Sequence, residues 1–199
     1  MLAVPPRAEL RIRPLETARL ALTPIESTDA HDLWYAVDGS RAQLLPWLPW
    51  VPFNVDPDAS YRYAEASAND WDNARACRFT IRERGNRKFA GVVGLESFAH
   101  LHMSVELGYW LRTDMTGHGF MTEAAKEIVA WAFRELKAHR VRVAAATDNH
   151  ASLAVIGRLG FKFEGVAREA ELVNNRWLDH AVFAKLAQED HQEKLGRTT

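Results

Sequence analysis

The chain predicts an α+β fold, and three features of its 199 residues carry that prediction. Two strand-like runs, Cys77 to Arg84 and Lys88 to Phe98, flank Gly85-Asn86, a dipeptide suited to a hairpin turn, so the early strands are antiparallel. From Ser104 to Ala146 the pattern changes to strand, glycine loop, amphipathic helix and strand. Two more strand-like runs, Phe161 to Ala167 and Arg176 to Lys185, close the set around Asn174-Asn175. No internal repeat or low-complexity segment breaks this order, and the length suits one domain over residues 1–199.

Each element has a local reason. Thr17 to Pro24 alternates Leu20 and Leu22 with polar neighbours, which predicts a half-buried strand. Ser27-Thr28-Asp29 is a helix-start signal for Ala30 to Val37. The prolines at 46, 49 and 52 exclude a long helix from the tryptophan-rich stretch Arg41 to Phe53. Asp56-Pro57-Asp58 predicts a capped helix from about Ala59 to Asn73, since proline suits a first helical turn. In the strand Ser104 to Arg112, parity sets Val105, Leu107, Tyr109 and Leu111 on one face and Glu106, Gly108 and Trp110 on the other. From about His118 to Lys137, Ala125, Ile128, Val129, Ala132, Phe133 and Leu136 recur at helical spacing. Val141 to Ala146 reads as a buried strand, and Asn149 to Leu159 as a short helix ended by Gly160. The polar stretch from about Gln188 is expected to fray.

Composition narrows the function classes. A formal net charge of −1 argues against a nucleic-acid partner, whose binding domain would be strongly basic. No apolar run reaches the length of a membrane span, and Met1 to Arg13 has the scattered charges of a segment other than a signal peptide. The single cysteine, Cys77, forms no internal disulfide and suits a reducing cytoplasm; at the start of a strand it reads as a structural thiol. His100-x-His102 has no accompanying ligand cluster and reads as a loop pair, so no metal is expected. G-x-S-x-G is absent, which leaves a serine hydrolase unsupported.

The chemistry-bearing segment is Thr116-Gly117-His118-Gly119-Phe120-Met121, between the Ser104 strand and a helix. A helix start offers unpaired N–H groups and the positive end of its dipole, and glycines let backbone approach a ligand closely. The loop fits neither G-x-x-x-x-G-K-[ST] nor G-x-G-x-x-G, so by itself it names an anion site and no ligand. Glu106-Leu107-Gly108-Tyr109-Trp110-Leu111 stands before it, and Asn149-x-x-Ser152 with Leu159-Gly160-Phe161 after it. With these three segments in this order, the chain from about Thr17 to Leu186 resembles the GNAT superfamily of acetyl-CoA-dependent N-acetyltransferases. Within it the likeness is to the RimJ/RimL-type branch, which acetylates N-terminal amines of ribosomal proteins.

The resemblance implies a mixed, mostly antiparallel central sheet with splayed central strands and helices on both faces. The strands Ser104–Arg112 and Val141–Ala146 would splay, and the pantetheine arm of acetyl-CoA would enter between them. Leu111, Arg112 and Thr113 would meet the pantetheine, while Thr116, Gly117, His118, Gly119, Phe120 and Met121 would hold the pyrophosphate. Asn149 would bond the pantetheine, Ser152 would serve the leaving sulfur, and Arg158 would reach a CoA phosphate. Glu106 and Glu171 are rival carboxylates for the base, with Glu106 also a candidate for holding the substrate. Trp47, Trp50 and Phe53 are candidates to line the acceptor groove, whereas Trp71 reads as packing. Two positions depart from the family pattern: Asp114 where Gln or Arg is common, and His118 where Lys or Arg is common. The expected function is acetyl transfer to a primary amine, foremost a protein or peptide N-terminus. The alternatives are a small-molecule amine acceptor and a non-catalytic acyl-CoA-binding sensor. RimL-type relatives also imply a homodimer.

Overall fold

The computed structural model describes residues 1–190. Eight strands form one sheet: β1 (Leu15–Glu16), β2 (Leu20–Pro24), β3 (Cys77–Glu83), β4 (Phe89–Ala99), β5 (Ser104–Leu111), β6 (Arg140–Ala146), β7 (Lys162–Val173) and β8 (Arg176–Leu186). Their spatial order is β1-β2-β3-β4-β5-β6-β8-β7, and every neighbouring pair is antiparallel except β5–β6. The helices are α1 (Arg7–Ile12), α2 (Ala30–Asp38), α3 (Arg41–Leu44), α4 (Pro57–Asp72), α5 (Phe120–Arg134) and α6 (His150–Arg158).

The parity of β5 divides the core as expected. Val105, Leu107 and Leu111 pack with α5 residues such as Ile128 and Trp131. Trp110 faces the opposite way, into a second cluster with Leu33 and Val37 of α2 and Val92 of β4. The sheet therefore carries helices on both faces, and each β5 side chain reports which face it serves. Trp71 is buried edge-on to Phe79 (5.0 Å) and donates its indole N–H to Pro5 O (3.0 Å), which is packing as expected. Cys77 is fully buried, and burial pushes its thiol well above the ordinary range. His100 Nε2 meets Ala74 O at 2.7 Å in a 3-10 turn.

Capping signals are met: Asp56 accepts from Ala59 N (2.7 Å) with Pro57 at the start of α4, and Gly160 follows α6 at φ 74°. Other expectations need correction. The strand expected over Thr17 to Pro24 begins only at Leu20, because Thr17 closes a turn by exchanging bonds with Leu20 (2.9 Å from each backbone N–H), and the short strand β1 precedes that turn. β7 runs past Ala167 to Val173 by way of a bulge at which Glu169 N–H bonds Asp179 Oδ1 (2.8 Å). Helix α5 ends at Arg134, short of Lys137, and α1 lies in a segment where no helix was expected. Residues 187–190 are helical instead of frayed, with Glu189 Oε2 accepting from Leu186 N (2.9 Å). The rest of the expected frayed tail, residues 191–199, lies outside the described residues.

Candidate active site

The strands β5 and β6 pair at only three positions: Ser104 with Arg140, Val105 with Val141, and Glu106 with Arg142. Beyond Glu106, β5 continues against β4 alone and β6 against β8 alone, so the sheet opens from Leu107 onward. Backbone on the facing edges is left without a strand partner, which is the condition for adding an extended ligand. One side chain crosses near this opening. Tyr109 of β5 reaches α6, where its Oη lies 2.8 Å from Ser152 Oγ. Burial pushes the Tyr109 phenol up to about 12, the Ser152 bond acting in the opposite direction. Asn149 caps α6 by accepting from Ser152 N–H (3.1 Å), so the two residues of the N-x-x-S segment act on one helix start.

The glycine loop follows β5. Gly117 and Gly119 have φ of 80° and 77°, the left-handed region that side chains with a Cβ avoid. Nothing lies within 4 Å of the place a Cβ on Gly117 would take, so the backbone there is open to a ligand. The first helical bond of α5 runs from Glu123 N to Gly119 O (3.0 Å), which leaves the N–H groups of Phe120, Met121 and Thr122 ahead of it. Arg112 N–H is spent on Ala90 O (2.9 Å), Thr113 N–H on Ser40 Oγ (3.0 Å) and Thr116 N–H on Thr113 O (3.3 Å). The donors of the cradle therefore begin after Thr116.

Cations absent from the loop's own sequence arrive from elsewhere. Arg19, in the turn before β2, donates to His118 O (2.9 Å) and to Glu123 Oε2 (2.7 Å), and its guanidinium lies 4.7 Å from the Phe120 ring centre. Asp114 is held by Lys88 (2.9 Å) and by Arg112 (3.0 and 3.1 Å). The Lys88 bond, against slight burial, and then Arg112 hold its carboxyl below the usual carboxylate range. The carboxylate in the loop is thus neutralised by two neighbours instead of facing an anion alone.

On the other face of the sheet lies a cavity of ≈ 470 Å³ bordered by Trp50, Phe53, Trp110, Gly108, Arg78 and Glu96 among others. Glu96 of β4 and Glu106 of β5 are direct cross-strand partners, an arrangement of like charges that is unfavourable unless compensated. Compensation comes from the flanking strands: Arg78 grips Glu96 with two bonds (2.7 and 2.6 Å), and Arg142 holds Glu106 (2.5 Å). A row of charges, Arg78–Glu96–Glu106–Arg142, runs from β3 to β6 where the sheet begins to open.

Residues 19–162 match the model of the acetyltransferase (GNAT) domain. The chain belongs to the GNAT acetyltransferases. Acetyl-CoA is its cosubstrate, supplying an activated acetyl group as a thioester. The Bacillus subtilis (strain 168) protein YdaF, provisionally named a ribosomal N-acetyltransferase, is 32% identical over 85% of this chain and 92% of its own length. The ribosomal-protein-serine acetyltransferase of Escherichia coli (strain K12) is 27% identical over 84% of this chain and 92% of its own. The solved structure of the ribosomal α-N-protein acetyltransferase RimL with coenzyme A has the same fold, with a TM-score of 0.83 and 22% identity over 87% of this chain and 97% of that one.

The GNAT enzyme's open strand edge and its N–H cradle fit a thioester arm that ends in a pyrophosphate. Of the sequence candidates, Ser152 and Asn149 come together at the start of α6, and Leu111 ends β5 just before the loop. Arg158 is exposed in the last turn of α6. Glu171 lies on β7, opposite Leu178 of β8, and its Oε2 is 3.4 Å from His180 Nε2. Trp50 and Phe53 border the cavity, whereas Trp47 packs against Ala146, Val173 and Leu178 beneath the β7–β8 hairpin. Sequence reasoning missed Tyr109, Arg19, Arg78, Glu96, Arg142 and His180. Tyr109 alone had a local signal, a polar tip on the apolar face of β5.

Proposed function

We propose that this GNAT enzyme acetylates the N-terminal amine of a protein or peptide by direct attack in a ternary complex. The observation that carries the reading is the compensated carboxylate pair Glu96/Glu106, set beside an open cavity where β5 and β6 part. An α-amine has a pKa near ~8 and arrives largely as ammonium at neutral pH; with Arg78 and Arg142 balancing their charge, the two carboxylates serve it as fixed hydrogen-bond acceptors. The names of the relatives YdaF and the serine acetyltransferase support the same acceptor.

In this reading Glu171, paired with His180, takes the amine proton through water. Glu106 is committed to Arg142 and serves to hold the acceptor. Backbone N–H groups on the open edge of β5 stabilise charge developing on the carbonyl oxygen. The amine nitrogen bonds the acetyl carbon and the carbon–sulfur bond breaks. Ser152, oriented by Tyr109, gives its hydroxyl proton to the departing sulfur and regains one from solvent. Gly117 to Met121 hold the pyrophosphate, and Asn149 keeps the α6 start in place.

Thiol release with acetyl-CoA and a panel of peptides and small amines tests the proposal. Peptide turnover that Glu171→Gln abolishes and Glu106→Gln weakens mainly through KM is the expected result. Turnover of small amines alone assigns the small-molecule reading, and CoA binding without turnover assigns a sensor. The family likeness also supports a homodimer in a reducing cytoplasm. Phe163, Leu172 and Trp177, exposed on β7 and β8, provide apolar surface for such a dimer, which light scattering would detect.

A further inference from the structure

The cavity beside Gly108 has more to say about the acceptor. Leu33, Val37, Leu48, Trp50, Val92 and Trp110 supply its apolar wall, with the Trp50 and Trp110 rings 6.0 Å apart and tilted. Polar groups on its border are already engaged with one another. Arg78 is bound to Glu96 and, through Nη1, to Asp70 (2.8 Å), while Asn54 and Ser60 bond each other (3.0 Å). What the wall offers a ligand is apolar and aromatic surface at the scale of a small-molecule site, about 300–1,000 Å³.

Gly108 connects this cavity to the strand opening. It is the second β5 residue past the last β5–β6 pair, and it borders the cavity. A Cβ added there would meet only Glu96 Cγ, at 3.8 Å, so packing within the protein does not demand a glycine. With no side chain at Gly108, the backbone of the open strand itself forms part of the cavity's border.

We propose that this cavity is the acceptor's side-chain pocket and selects amines whose adjacent group is apolar and large. Peptides beginning with Phe, Leu or Met fill it, and Ala or Ser termini leave it empty. The inference rests on the acetyltransferase reading of the acceptor side given above. One methylene in a hydrophobic pocket is worth about 10–200-fold, so a whole Leu or Phe side chain against Ala should yield at least about tenfold in kcat/KM.

The test is a series of hexapeptides that differ only in the first residue, followed by thiol release, with mass spectrometry locating the acetyl group. Wild type should favour Phe, Leu and Met over Ala and Ser by at least about tenfold, and Gly108→Val, whose side chain grows into the pocket, should erase most of that ratio. Thermal melting of Gly108→Val verifies that it folds, and the wild-type series stands without it. Equal or faster turnover of Ala and Ser peptides overturns the pocket and leaves the peptide reading intact. A ratio unchanged in folded Gly108→Val also overturns it. Turnover of phenethylamine but of no peptide supports the pocket and sinks the peptide reading. No turnover of any amine sinks both.

Discussion

Replacing Tyr109 by Phe removes one oxygen and keeps the ring that packs between β5 and α6. In the native site that oxygen lies 2.8 Å from Ser152 Oγ. A neutral hydrogen bond contributes about 0.5–1.5 kcal/mol net, which at RT of ~0.59 kcal/mol corresponds to a factor of about 2–13. If the bond orients the Ser152 hydroxyl toward the departing sulfur, kcat should fall by about that factor, with KM for acetyl-CoA changed less than about twofold. Thiol release under saturating peptide measures it. With the phenol pushed up to about 12 by burial, it stays protonated across the assay range, so the loss should be constant between about pH 6 and 9. Linkage gives the stability sign: the raised phenol contributes stability present below its unfolded value near ~10 and lost as pH rises toward ~12. Because Tyr109 acts through Ser152, the double variant with Ser152→Ala should be no slower than Ser152→Ala alone. A wild-type rate in Tyr109→Phe, a fully additive double variant, or a loss that varies with pH in that window would refute the reasoning.

Three other outcomes follow from the same structure. Arg19→Ala frees the His118 carbonyl and should weaken CoA binding about 2–13-fold by calorimetry, more than His118→Ala does; the reverse order would remove Arg19 as the loop's cation. The lowered Asp114 carboxyl contributes stability present above its unfolded pKa near ~4 and lost as pH falls through its lower folded value. Acid loss of thermal stability should accordingly be steeper in wild type than in Asp114→Asn, and parallel curves of Tm against pH would contradict this. Trp131, 1% exposed and 5.3 Å edge-on to Phe79, should cost about 3–5 kcal/mol on replacement by Ala, or roughly 6–20 °C in Tm, and a shift under about 3 °C would show that the aromatic cluster is not a main support of the fold.

The parts of this molecule that were legible in its sequence are those set by local periodicity and turn chemistry. The β5 alternation separated Leu107 from Trp110 before any fold was known, because strand parity is a backbone property. The Asp56–Pro57 cap and the Gly160 stop worked for the same reason. Short range also explains the failures. The Thr17 turn is fixed by Glu123, whose carboxylate accepts from Thr17 Oγ1 (2.5 Å) across more than a hundred residues of chain. The β7 extension depends on Asp179 of the neighbouring strand, which supplies the acceptor its bulge needs. At the site, the glycine loop and Asn149-x-x-Ser152 could be read because each uses its own backbone. The missing positive charge could not be found in the loop, since Arg19 and Lys88 reach it from β2's turn and from the β3–β4 hairpin.

The pair Glu96/Glu106 likewise depends on long-range partners. Two carboxylates directly opposed on neighbouring strands oppose sheet formation, and a fold selected only for stability would place an apolar or oppositely charged pair there. Instead two arginines are recruited from the strands on either side, so the row closes with two positive and two negative groups. The cost is met at the place where β5 leaves β6, beside the one glycine of β5 and the mouth of an apolar cavity. On the proposed reading, a cationic amine entering there would meet carboxylates already held rigid, with little left to reorganise, while its apolar neighbour would meet Trp50 and Trp110. On that reading the two faces of the sheet divide the work: backbone donors and helix dipole would serve the anionic cosubstrate, and fixed carboxylates and an aromatic wall the acceptor. The two would meet where the sheet opens at Leu107.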